Sequence, residues 1–417
     1  MGQLWVRRLA AVALVGAIHW PAGGNAAETI KFALIEPMSG QMAVVGEGVK
    51  AQFDYIATRL NAAGGINGKQ FEIVAYDNKL NAQETVEAAR RAIENGARYL
   101  VQGNGSGPAG ALLDFVRKYN ERNPGQEVLY VDYSSEDPKF TNELCSYWHI
   151  RWSPNNQIKM STLASYVAGR GDVKNIYLIN PDYSLGQDAR KFAREYLVKE
   201  RSDISIVGDD LHALAKVSDF SPYIAKIRAS GADAVLTTTW GTDLALLLKA
   251  ASEAGLKVNW FTYFAYGPGA PTAVAQAGLA GRVYAIQEGN ANLPNADADG
   301  FETEFRKLHP GKGFWYPRAR NAMEMLALAM KQAGSDRPLD VAKKLSGLRY
   351  EGAYGTVFMR PDDHQAFQDL YISVLVPTAQ EGLKFDEEAS GLGLKLLQTV
   401  PADRTLLPTT CKMVRPE

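Results

Sequence analysis

The feature that most constrains this 417-residue chain is an alternation of strand and helix signals that runs its course and then begins again. Residues 30–35 (IKFALI) form a short apolar run suited to a strand buried on both faces. A Gly/Ser loop follows, and residues 48–60 place Val49, Phe53, Ile56 and Leu60 on one helical face. Asn61-Ala-Ala-Gly-Gly65 ends that helix, with Gly supplying the left-handed cap. Strands are predicted at 71–76, 99–101 and 128–131, with helices at 81–94 and 110–119 between them. The pattern restarts after residue 150, with strands at 175–179, 204–207, 233–237 and 259–262 and helices at 186–199, 223–229 and 244–254. A further strand at 283–287, a long helix at 316–333 and a β-rich stretch at 355–377 complete it. Two α/β units follow, each a doubly wound parallel sheet with helices on both faces. Two such lobes of similar size suggest a cleft between them, because pockets favour domain interfaces and the carboxyl ends of parallel strands.

The first 26 residues read as a secretory signal. Arg7 and Arg8 give a positive start, residues 9–18 (LAAVALVGAI) an apolar run too short to span a bilayer, and Gly24 and Ala26 a small-residue cleavage pair. Removing them takes away two Arg and no acid, shifting the net charge from −1 to −3. Export to an oxidising compartment allows a disulfide between Cys145 and Cys411, the only cysteines. The alternative is two buried thiols. Pro401, Pro408 and Pro416 point to an extended C-terminal tail.

No run of basic residues offers a phosphate-neutralising surface, which argues against a nucleic-acid partner. Two cysteines and scattered histidines (His149, His212, His309, His364) leave no metal-ligand spacing. There is no nucleophile elbow and no phosphate loop ending in Lys-Ser/Thr, so no enzyme and no cofactor is expected. One motif points elsewhere. Gly105-Ser-Gly107-Pro-Ala-Gly110 follows a strand, opens a helix and has Asp132 further on, imitating a dinucleotide fingerprint. An exported NAD-type oxidoreductase is therefore an alternative. Against it, the motif follows the third strand, and Pro108 stiffens the loop. Gly105-Ser106-Gly107 fits a carboxylate clamp better, because free N–H groups at a helix start bind anions. Tyr133-Ser134-Ser135-Glu136-Asp137-Pro138, at the next strand's end, faces the same side. Tyr183, Trp240, Tyr263, Phe264, Tyr266 and Trp315 all fall near strand ends or loops, a set suited to an apolar or planar ligand.

Several stretches together resemble the periplasmic branched-chain amino acid binding proteins, the type I solute-binding proteins of ABC importers. They are Met38-Ser39-Gly40 with Gly46, Asn61-Ala-Ala-Gly-Gly-Ile-Asn-Gly-Lys69, Tyr76-Asp77, Pro181-Asp-Tyr-Ser-Leu-Gly186, Asp219-Phe220-Ser221 and Ala251-Ser-Glu-Ala-Gly-Leu256. The resemblance runs from about residue 30 to 377 and implies two lobes joined by three crossings at a hinge, closing on a ligand. It implies a first lobe of 27–148 with 286–352, a second of 149–285 with 353–400, and a tail at 401–417. It places Ser106 at the carboxylate-binding serine and Ser135 and Glu136 where a small residue and a Thr complete the clamp. Val45, Leu185, Trp240 or Gly241, and Trp315 fall at pocket positions. It also implies a periplasmic monomer that hands a small molecule to a membrane permease; a ligand-sensing module coupled to a receptor is the other role such a fold serves. Two departures bear on the ligand. An acid that pairs with the ligand ammonium in amino-acid binders is replaced by about Ala265, within Tyr263-Phe-Ala-Tyr266. Glu136 also brings negative charge beside the clamp. Both favour an aromatic carboxylate or amide-type compound over an aliphatic amino acid, unless Glu136 or Glu288 takes the amino group.

Overall fold

The computed structural model describes Met1 and residues 28–416, so the expected signal segment at 1–26 lies, apart from Met1, outside the described residues. The first sheet contains β1 (Thr29–Glu36), β2 (Gln70–Asp77), β3 (Tyr99–Gln102), β4 (Leu129–Asp132) and β5 (His149–Arg151) in the order β2-β1-β3-β4-β5, all parallel. The second contains β6 (Asn175–Pro181), β7 (Ser205–His212), β8 (Ala234–Thr237), β9 (Asn259–Thr262) and β10 (Val283–Gln287). Its order β7-β6-β8-β9-β10 repeats that of the first sheet. A short hairpin sheet, β11 (Arg349–Gly352), β12 (Gly355–Met359) and β13 (Ala366–Phe367), stands apart. Then β14 (Leu370–Pro377) and β15 (Leu392–Val400) extend the second sheet beyond β10 as antiparallel strands.

The connecting helices that position the cleft are α1 (Ala43–Ala62), α2 (Ala82–Glu94), α3 (Ser106–Arg122), α4 (Asn156–Ala168), α5 (Ser184–Glu200), α6 (Ser221–Ala229), α7 (Gly241–Glu253), α8 (Ala270–Gln276), α9 (Phe301–Leu308) and α10 (Pro317–Ala333). Each lobe has its own apolar core. Ile158, Leu178, Leu236, Leu247, Trp260 and Ile372 lie in the second. Phe32, Phe53, Val101, Trp152, Met323 and Leu326 lie on one face of the first sheet, and Ala33, Leu100, Leu112 and Tyr130 on its other face. Strands buried on both sides read as continuous apolar runs, which is why most were visible in the sequence.

The sequence expectations need correction in several places. Helix α3 begins at Ser106, four residues before the expected 110, because Pro108 is tolerated in a first turn that has no helical N–H acceptor. Helices α4 and α8 and strand β5 were not expected, and α1 begins at Ala43, five residues before the expected 48. Strand β15 and a 3-10 turn at Ala402–Thr405 occupy part of what reads as featureless C-terminal chain. Finally, the expected divisions at 149, 286 and 353 do not match sheet membership. β5 is the edge strand of the first sheet, and β10 belongs to the second up to Gln287. In the hairpin sheet, Val357, Met359 and Ala366 pack into the first core.

Cys145 and Cys411 form a disulfide with a Cα–Cα distance of 5.7 Å. The tail that carries Cys411 leaves β15 in the second sheet and returns to the first lobe. There the Thr409 hydroxyl donates to the Thr141 carbonyl (2.7 Å), and the Thr410 N–H to Asn142 Oδ1 (2.9 Å).

Candidate functional site

In a sheet of order 2-1-3-4-5, ligands bind outside the strand carboxyl ends, at the switch point beside the first strand. Both lobes present that edge to one cavity between them. From the first lobe come Gly103–Ser106 after β3, Ser134–Glu136 after β4, and Tyr316 before α10. From the second come Tyr183 and Leu185 at the start of α5, Trp240 before α7 and Phe264 after β9. The space between them is small, about 30 Å³, room for a few water-sized groups.

The floor of the first lobe is held from below by Glu36. Its Oε1 accepts from the Gly103 N–H (2.7 Å) and the Tyr133 hydroxyl (2.7 Å), and its Oε2 from Asn104 Nδ2 (2.8 Å). Burial pushes the Glu36 carboxyl up to about 7, against the opposing pull of those hydrogen bonds. Gly103 is required by close approach: a Cβ there would lie 2.6 Å from the Ser134 Cβ. Gly105 adopts φ +88°, a conformation that favours glycine, and so turns the chain into α3. The first helical N–H groups, on Ser106 and Gly107, have no intrahelical acceptor and remain free to bind an anion. The Ser106 hydroxyl has no protein partner among the described residues.

On the opposite wall, Trp240 Nε1 donates to the Tyr183 hydroxyl (2.9 Å), which fixes both rings at the cavity. Tyr316 is oriented by its hydroxyl donating to Asn104 Oδ1 (3.1 Å).

Glu136 belongs to a cluster of four buried charges. Lys159 Nζ, from α4, is 2.6 Å from Glu136 Oε1 and 3.1 Å from Glu288 Oε1. Arg318, from α10, bonds Glu288 Oε2 (2.7 Å) and the Ser134 hydroxyl (3.0 Å). The Lys159 ammonium also lies over the Tyr263 and Phe264 rings, 5.6 and 5.5 Å from their centroids. Burial raises the Glu136 carboxyl, although Lys159 and Arg318 pull the other way. Glu288 is lowered because the nearby cations outweigh its burial. Glu136 Oε2 is buried without a hydrogen-bond partner.

Of the residues singled out from sequence, Gly105, Ser106, Ser135, Glu136, Leu185 and Trp240 line this cavity. Gly107 lines its outer mouth, with Tyr183 and Asp182. Val45 and Trp315 line a narrow extension on the other side, with Trp240 and Phe264. Tyr263 and Ala265 are fully buried and line none of these spaces; the Tyr263 hydroxyl is committed to Asn156 Oδ1 (2.9 Å). The clamp role expected of Ser135 also needs correction, since its hydroxyl donates to Asp132, whose other oxygen accepts the Ser135 N–H (2.8 Å). Sequence reasoning missed Tyr316, Lys159 and Arg318. Lys159 sits between core residues Ile158 and Met160, and that flanking was the one available signal.

A family model described as "Periplasmic binding protein" matches residues 29–380. A Brucella abortus (strain 2308) protein named "Leu/Ile/Val-binding protein homolog 4" is 33% identical, over 98% of this chain and 97% of its own. The crystal structure of a leucine-, isoleucine-, valine-, threonine- and alanine-binding protein from Brucella ovis, in a closed conformation, has a TM-score of 0.81 and 32% identity. It covers 94% of this chain and 100% of its own. A solute-binding protein from Rhodopseudomonas palustris BisB5 in complex with 3,4-dihydroxybenzoic acid has a TM-score of 0.74 at 20% identity, over 90% of this chain and 98% of its own, a likeness of fold.

Proposed function

The chain belongs to the periplasmic binding protein family, whose members are substrate-binding proteins and not enzymes, and from that premise we propose that it captures an amino acid between its lobes and delivers it to an ABC permease. The ligand carboxylate sits at the start of α3, on the Ser106 and Gly107 N–H groups and the Ser106 hydroxyl. The ammonium sits on Glu136 Oε2, and the side chain lies against Leu185, Trp240 and Phe264. The observation that carries this reading is the pairing, around one cavity, of free donors at Ser106 with Glu136, whose Oε2 is buried and has no hydrogen-bond partner. An unpaired buried acceptor costs about 1–3 kcal/mol, and a ligand donor recovers it. Glu136 thus supplies what position 265 lacks. The names of the relatives agree with this class of solute. A ligand that touches both lobes favours the closed state over the open one, which presents a new surface to the permease.

A second reading, an aromatic carboxylate, is favoured by the four rings of Tyr183, Trp240, Phe264 and Tyr316 around the cavity. A thermal-shift screen of the amino acids against benzoates and short amides separates the two. The expected result is a selective upward shift with one or more amino acids. A shift with benzoates alone contradicts the proposal.

A further inference from the structure

Of these four charges, Lys159, Glu288 and Arg318 are fully buried behind the cavity, and Glu136, which lines it, is 3% exposed. Their signs cancel. The pairs also cross between the lobes in both directions. Glu136 follows β4 of the first sheet and meets Lys159 on α4, whose neighbours Ile158 and Met160 belong to the second core. Glu288 follows β10 of the second sheet and meets Arg318 on α10, whose neighbours Ala319 and Ala322 belong to the first core. Another carboxyl under the cavity floor, Glu36, is held by four neutral donors, the Gly103 and Asn104 N–H groups, Asn104 Nδ2 and the Tyr133 hydroxyl, and by burial.

We propose that this neutral quartet imposes a net-charge rule on the solute, with Lys159 as the residue that sets it. The cleft accepts molecules of zero net charge, because Lys159 places its own ammonium in the cation subsite between Glu136 and Glu288. A solute with a second positive group finds that subsite filled. A solute that is a plain anion adds an uncompensated charge next to Glu136. Removing one partner from a buried pair leaves a charge that costs several kcal/mol, so a solute can profit by supplying the missing sign. Neither Lys159 nor Glu288 lines the cavity, so both act through charge and not through contact. This inference rests on the cleft being the ligand site, as argued above.

The test is calorimetric binding of three matched sets by the full chain and two variants. The sets are neutral amino acids (leucine, alanine, phenylalanine, glutamine), their 2-oxo acid counterparts, and the cationic lysine and arginine. The wild type is expected to bind its best neutral amino acid at least about 100-fold tighter than the matched 2-oxo acid or either cation. Lys159→Met makes the quartet net negative and is expected to improve cation binding at least about tenfold relative to the neutral set. Glu288→Gln makes it net positive and is expected to improve 2-oxo acid binding by a similar factor. The two variants fail independently, since one leaves the Glu288–Arg318 pair intact and the other leaves Glu136–Lys159 intact. A folded variant of either kind that keeps the wild-type order of charge preference overturns the rule. Binding of none of the sets by the wild type overturns the reading of the cleft and the rule with it.

Discussion

Glu36 shows how one buried group shapes the cleft without touching a ligand. Its carboxyl rises from an ordinary 4.5 to about 7 because burial disfavours the charge more than its hydrogen bonds favour it. Between pH 4.5 and about 7 the folded chain keeps a proton that the unfolded chain gives up, so this group's contribution to stability falls as pH rises and levels off above about 7. The total effect is on the order of 3 kcal/mol. Glu36→Gln is expected to flatten that decline, as read from urea midpoints of both proteins at pH 4.5, 6 and 7.5. A variant whose midpoint falls with pH as steeply as the wild type's would contradict the assignment. Ser106 is the counterpart on the ligand side. Loss of a hydroxyl that hydrogen-bonds a charged group costs about 1.5–3 kcal/mol, so Ser106→Ala is expected to weaken the proposed ligand roughly ten- to a hundredfold in calorimetry, with an unchanged unfolding midpoint. Equal affinity would place the carboxylate elsewhere.

At the scale of elements, the Cys145–Cys411 disulfide closes a loop of 266 residues and holds the returning tail on the first lobe. A bridge of this kind is worth about 2–4 kcal/mol. Cys145→Ser with Cys411→Ser is therefore expected to lower the denaturant midpoint under oxidising conditions, while dithiothreitol lowers the wild type's and not the variant's. No difference between the two would mean that the bridge adds nothing beyond the tail's hydrogen bonds. How far the elements could be read from sequence follows from their burial. Strands such as β1 and β4 carry a contiguous apolar run, Phe32–Ile35 in one and Leu129–Val131 in the other, and that run announces them. β5 is three buried residues, His-Ile-Arg, and carries no such run. Its His149 pairs through Nε2 with Asp132 (2.9 Å), and its Arg151 bonds Gln365 (2.9 Å) and the Asp137 carbonyl (2.6 Å). Helix α4 buries Asn156 and Lys159 alongside Ile158 and Met160, so it shows no clean apolar stripe. The Gly105–Gly107 wall of the cleft was legible because its three residues are contiguous. The charge quartet was not, because Glu136, Lys159, Glu288 and Arg318 come from four segments that only the fold brings together.

For the whole molecule, the two sheets share one topology and turn their strand carboxyl ends towards each other, so one cavity draws on both. The closed arrangement buries two ion pairs that cross between the lobes. Ion pairs taken out of water contribute little net stability, since desolvation offsets their attraction. The free protein is therefore expected to populate an opened arrangement, and a ligand that bonds Ser106 on one side and packs on Trp240 on the other tips the balance. Small-angle X-ray scattering tests this most directly, with the radius of gyration followed as the amino acid giving the largest thermal shift is titrated in. The account predicts a saturable decrease in the wild type and none in Ser106→Trp, whose side chain fills the cavity. An unchanged radius at saturating ligand, or an equal contraction in Ser106→Trp, would contradict closure around a solute held at the start of α3.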